Sequence, residues 1–201
     1  MNIHSDILTL ANKYPLMLNE VEKLQTIERI IPGSVTYSIH RYKKNPQWAV
    51  EDVGMMSYNF EKTNPEANSI ELKFCISGNI YCHKKQTECD FCQLNGSKNC
   101  VEKTDSIDVL SFSFSPVYLQ QFTKANNDPQ SLSDNVLAFK HNTSFSKTVP
   151  LCGKTRLVIE ALLNHTYTDT LANIFINAQT QILLLYSMDC ILGDKEETGF
   201  N

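Results

Sequence analysis

Before Pro150 the chain shows short apolar or alternating runs broken by turn residues. From Ser69 to Ile76 the alternation is clean, with Ile70, Leu72, Phe74 and Ile76 on one face and Glu71 and Lys73 on the other. That is the pattern of a strand with one face in a core. Val35 to Ile39 is β-branched and aromatic with the same period, and Ile107 to Phe114 turns Leu110, Phe112 and Phe114 to one side. Ser77-Gly78-Asn79 predicts a turn, with Ile80-Tyr81-Cys82 starting a further strand. Pro116 closes the strand before it, and Val117 to Phe122 predicts one or two helical turns. Asn126 to Ser133, polar and containing Pro129, predicts a loop. Short strands joined by tight turns predict an antiparallel sandwich or small barrel. The aromatic residues Tyr37, Trp48, Tyr58, Phe60, Phe74 and Phe112 are expected to be mostly core.

Near Pro150 the period becomes helical. Val158, Ala161, Leu162 and His165 are spaced for one helix face, and a second helix is expected to start at Thr168 or Asp169 as N-cap. On that second helix Leu171, Ile174, Phe175, Ala178, Ile182 and Leu185 make one stripe, while Ile176, Leu183 and Leu184 fall partly outside it. A helix that is apolar on more than one face needs two neighbours. One would be the β-rich part; the other, a second helix or a second subunit. The division expected is a β-rich domain over 1–150, a helical pair over 151–192 and a charged tail over 193–201. The fold class is therefore α+β.

Composition narrows the function classes. The chain has 201 residues, 42% hydrophobic and 20% charged, with a formal net charge of −4. The short basic run at 41–44 makes no footprint for phosphate binding, which needs clustered Lys and Arg. The N-terminus does not resemble a secretory signal. The longest apolar run, 182–186, is far short of the roughly 20 residues of a membrane span. A cytoplasmic protein with no membrane contact is expected.

In that compartment thiols stay reduced, and clustered thiols point to metal or redox chemistry rather than structural disulfides. Four of the seven cysteines, Cys82, Cys89, Cys92 and Cys100, lie in a single polar run with spacing C-x6-C-x2-C-x7-C. A C-x2-C turn brings two thiolates to one ion, and the flanking pair can complete a tetrahedron. Such a soft, closed site suits Zn2+ first and an iron–sulfur cluster second. His83 is an alternative ligand, although in a strand it would point away from Cys82. A reversible disulfide within the group is a further alternative, with Lys84, Lys85 and Lys98 near enough to favour thiolate, and free thiols are another. Cys75, Cys152 and Cys190 are expected to be small buried hydrophobes. The five histidines, at 4, 40, 83, 141 and 165, are scattered with no H-x-H, and the chain has no nucleophile-elbow, P-loop or dinucleotide motif. No catalytic residue is assigned, and the chain is not expected to be an enzyme.

The order of elements resembles a known family. Phe74-Cys75-Ile76-Ser77-Gly78 precedes a turn, Phe114-Ser115-Pro116 precedes a short helix, and Asn164-His165-Thr166-Tyr167-Thr168-Asp169 joins two helices. Over roughly residues 30–192 the chain is similar to the N-terminal sensor and dimerisation region of AraC-type bacterial transcription regulators, in the PchR-like branch. There the corresponding motifs read F-x-L-S-G, F-S-P and N-x-x-Y-T-G; here Ile76 replaces the Leu and Asp169 the Gly. The resemblance implies a cupin-like antiparallel β-barrel followed by a C-terminal helical pair that forms a homodimer. It also implies an unknown small-molecule effector, and DNA binding only through a helix-turn-helix domain beyond this chain, toward which 193–201 would be the linker. The Cys-rich insert at 82–100 departs from the family pattern. Two alternatives stand beside it: a stand-alone cupin-like enzyme or small-molecule-binding protein, and a cysteine loop that docks a protein partner.

Overall fold

A computed structural model of the chain describes residues 7–11, 22–31, 35–44, 47–77, 106–123, 131–149, 151–163 and 165–192. In chain order these form α1 (Ile7–Ala11), β1 (Lys23–Ile30), β2 (Val35–Lys43), β3 (Val53–Asn59), β4 (Ser69–Ser77), β5 (Ser106–Phe114), α2 (Pro116–Leu119), α3 (Leu132–Leu137), β6 (Phe145–Val149), α4 (Gly153–Leu163) and α5 (Asp169–Leu192). The fold is α+β: one antiparallel sheet and a C-terminal helical pair.

The six strands lie in the order β1-β2-β5-β4-β3-β6. The first and last strands are the two edges, so among the described residues the sheet is open. Its register follows from the alternation of side chains. Tyr37 pairs with Phe112, Ile39 with Leu110, and Phe74 with Leu110 across β2, β5 and β4. These rows place the apolar side chains of all three strands on one face. Leu72, Phe74, Leu110, Phe112 and Phe114 are almost fully buried there. Gly54 on β3 sits under this face. A Cβ at that position would lie 2.9 Å from the Phe74 ring and 2.9 Å from the Val149 carbonyl oxygen, so only glycine lets β3 pass.

The helices cover the same face. α2 starts where the Ser115-Pro116 motif predicts: the Ser115 Oγ accepts from the Tyr118 amide, and Pro116 occupies the first turn, where its missing N–H is harmless. The Tyr118 hydroxyl then donates to Asn177 Oδ1 on α5 at 2.9 Å. α4 buries Thr155, Ile159, Leu162 and Leu163. α5 buries Ile176, Leu183, Leu184, Met188 and Ile191 in the core cluster that contains the sheet's apolar side chains. On the outer face α1 covers one region, packing Ile7, Leu8 and Ala11 on Met55, Cys75, Ile107 and Val109.

Several local expectations change. The expected strand at 80–82 lies outside the described residues. The segment read as loop up to Ser133 gives way to α3, whose N-cap Ser131 accepts from the Asp134 amide. Cys152 is exposed rather than buried. It precedes α4, and its carbonyl accepts from the Arg156 amide at 3.0 Å, which turns its side chain outward at the helix start.

Candidate sensing and dimerisation surfaces

Cys82, Cys89, Cys92 and Cys100 lie outside the described residues. The structure does define where their segment is anchored. β4 ends at Ser77 and β5 begins at Ser106, and the two strands pair as far as Ser77 opposite Ile107. Both ends of the 78–105 stretch therefore leave the sheet side by side. Among the described residues no group of three or more His, Cys, Asp and Glu is placed to hold a metal. Cys75 is buried, Cys152 exposed and Cys190 partly exposed.

At that end of the sheet two acidic residues are held by arginines. Asp108, fully buried, accepts from Arg41 Nε at 2.8 Å. Asp52, just before β3, accepts from the Ser77 amide at 2.8 Å and from the Ser77 hydroxyl at 3.0 Å through one oxygen. Its other oxygen pairs with the Arg156 guanidinium on α4. One carboxylate thus joins the end of β4 to the helical pair. Nearby, the Cys152 thiol is held below its ordinary pKa, first by its 3.4 Å contact with the Thr155 hydroxyl and then by backbone amides of the first turn of α4.

The second feature is the outer side of α5. Leu171, Ile174 and Leu185 are each 62% exposed, and Leu157 on α4 is exposed too. The stripe expected from sequence is therefore mostly the face left uncovered. The helix buries a different set, Ile176, Leu183 and Leu184, in the core. Next to Leu185 an apolar groove of about 600 Å³ runs between α5, α3 and Phe122, lined by Leu137, Ile182 and Met188 among others. By length and composition α5 is also apolar enough to cross a membrane, a property the count of consecutive apolar residues does not reveal. Its inner face is nonetheless packed in the protein's own core, where Thr180 and Ser187 return their hydroxyls to backbone carbonyls of the helix.

The third feature was not legible as a site in the sequence. On the face opposite the main core, Thr36 lies across from Ser113 and Ser113 from Glu71, while Glu28, Ser38, Ser111 and Lys73 make the adjoining row. Small hydroxyl side chains leave a trough of about 740 Å³ there, within the ~300–1,000 Å³ typical of small-molecule sites. Glu71 and Lys73 pair at 3.2 Å along its wall. In sequence these residues carry the pattern of any solvated strand face; only the register shows that they adjoin.

Comparison with family models, with curated proteins and with solved structures finds no match for this chain.

Proposed function

We propose that this chain is the signal-sensing and dimerisation region of an AraC-type transcription regulator, and that its open sheet is the described part of a cupin-like barrel. The observation that carries the proposal is the uncovered apolar face of α5. Three large hydrophobic side chains on one helix, each more than half exposed, mark an interaction surface. A second copy is the occupant proposed, because a two-fold homodimer is the commonest closed assembly and presents the same patch twice. Asp169 adds support. It adopts φ 50° at the position where the resemblance has glycine, the residue that takes such a conformation without strain.

Within this proposal the chain works by binding rather than catalysis. A small-molecule effector occupies the hydroxyl-lined trough. Cys82, Cys89, Cys92 and Cys100 hold a Zn2+ ion that closes the 78–105 stretch on itself. Four thiolates suit a closed zinc site, and Ser77 and Ile107, which flank that stretch, are paired across β4 and β5. A bound metal there would supply cross-linking, with no open position for chemistry. DNA contact falls to a following domain, and the setting is the cytoplasm.

The test has two parts. Metal analysis of protein purified without added metal, with a thiol titration, is expected to give one zinc per chain and four protected thiols; four freely titrating thiols and no metal would remove the zinc site. The reading frame past Asn201 is expected to continue into two helix-turn-helix units. A stop at that point would favour the second reading, a stand-alone binding protein, which the trough by itself supports.

A further inference from the structure

Asp52 completes the sheet where a strand stops. The β3–β4 ladder starts at Val53 opposite Cys75, so beyond Cys75 the end of β4 has the Asp52 side chain beside it instead of a strand. One carboxylate oxygen takes both the amide and the hydroxyl of Ser77. The other takes Arg156, a partly exposed residue of α4. α4 packs on α5, the helix with the uncovered apolar face.

We infer that the Asp52 carboxylate is a coupling element, through which the position of the β4 end sets the position of α4 and hence of the dimerisation helix. Its role in signalling rests on the regulator proposed above; the coupling itself stands on these bonds. A carboxylate oxygen cannot keep both donors if Ser77 itself shifts at the end of β4. Asp52 then swings, and the Arg156 partner moves or is lost. Charge-assisted bonds of this kind contribute enough to bias the first turn of α4, where Gly153 and Lys154 are exposed. Because the link is an equilibrium one it is reciprocal: loosening α4 must also loosen the end of β4.

Hydrogen exchange on the full chain tests this. Ser77→Ala removes one bond to Asp52 without touching α4. The α4 amides are expected to exchange about twofold faster, while the central β2 and β5 amides keep their rates, which separates a local opening from global unfolding. Arg156→Ala is expected to speed exchange at the end of β4. In an Asp52→Asn background, Ser77→Ala is expected to add nothing further at α4. Unchanged α4 exchange in Ser77→Ala, or an undiminished effect in the Asp52→Asn background, overturns the inference. The oligomeric mass of the same samples is read separately. A monomeric wild type would end the dimerisation proposal while leaving the exchange result to decide the coupling.

Discussion

Asp52 and Arg156 form an ion pair across 104 positions of chain, joining the start of β3 to the first helix of the C-terminal pair. The side chains are 18% and 39% exposed, so solvent screens much of the Coulomb attraction. The larger part of the energy lies in the two bonds that Asp52 receives from Ser77. Asp52→Ala is therefore expected to destabilise the protein by about 2 kcal/mol and Arg156→Ala by about 0.5–1 kcal/mol. Urea denaturation of both variants checks the order. Equal losses would mean that the ion pair, not the Ser77 bonds, dominates.

The helix after Tyr167 begins with a strained residue. Asp169 has φ 50°, a conformation open to Asp but poor for a β-branched side chain. Asp169→Val is expected to destabilise by about 1–2 kcal/mol, whereas Asp169→Gly is expected to leave stability unchanged or raise it slightly. Thermal melts of the pair check this, and a Val variant as stable as wild type would show that the left-handed conformation is not required.

Acid sensitivity has a specific source on β2. Burial first, and then the Lys23 charge, lower the His40 pKa below 6.5, with Glu28 opposing. The ring Nδ1 lies 3.1 Å from the Thr26 hydroxyl, which can donate to the neutral imidazole. The unfolded chain then takes up a proton before the folded one. His40 contributes stability that is present above pH 6.5 and lost as the pH falls from there through the folded pKa. His40→Gln is expected to flatten this part of the stability profile, measured by urea titration from pH ~7 to ~5. An unchanged slope would place the acid response elsewhere.

Glycine at position 54 is fixed by contact rather than by backbone angle. Gly54→Ala forces a methyl to 2.9 Å from both the Phe74 ring and the Val149 carbonyl. The ring can shift but the β6 backbone cannot follow easily, so a loss of about 1–3 kcal/mol is expected. A calorimetric melt within a degree of wild type would contradict it.

Sequence patterning revealed those elements whose environment is one-sided. β2, β4 and β5 alternate because one face meets the helices and the other carries Thr36, Ser38, Glu71, Lys73, Ser111 and Ser113. β3 hides its period because α1 buries Met55 on one side while Met56 and Tyr58 are buried on the other. β6 is short and mostly exposed, too weak a signal for periodicity. α5 is apolar around most of its circumference, so its stripe could be found but not assigned. Leu183 and Leu184, which fall partly outside the stripe, are buried in the core. The trough depends on register between strands far apart in the chain, which no single segment displays. The cysteine cluster is a local motif, visible in sequence, and lies outside the described residues.

Dimerisation rests on the outer face of α5. Sedimentation or light scattering of the wild-type chain is expected to give twice the 22.9 kDa of one chain, and Ile174→Glu with Leu185→Glu is expected to give a folded monomer. Leu183→Glu, a charge placed in the core, is expected to unfold the protein instead. A wild-type mass of 22.9 kDa at every concentration, or a double variant that stays dimeric, would contradict dimerisation through this helix.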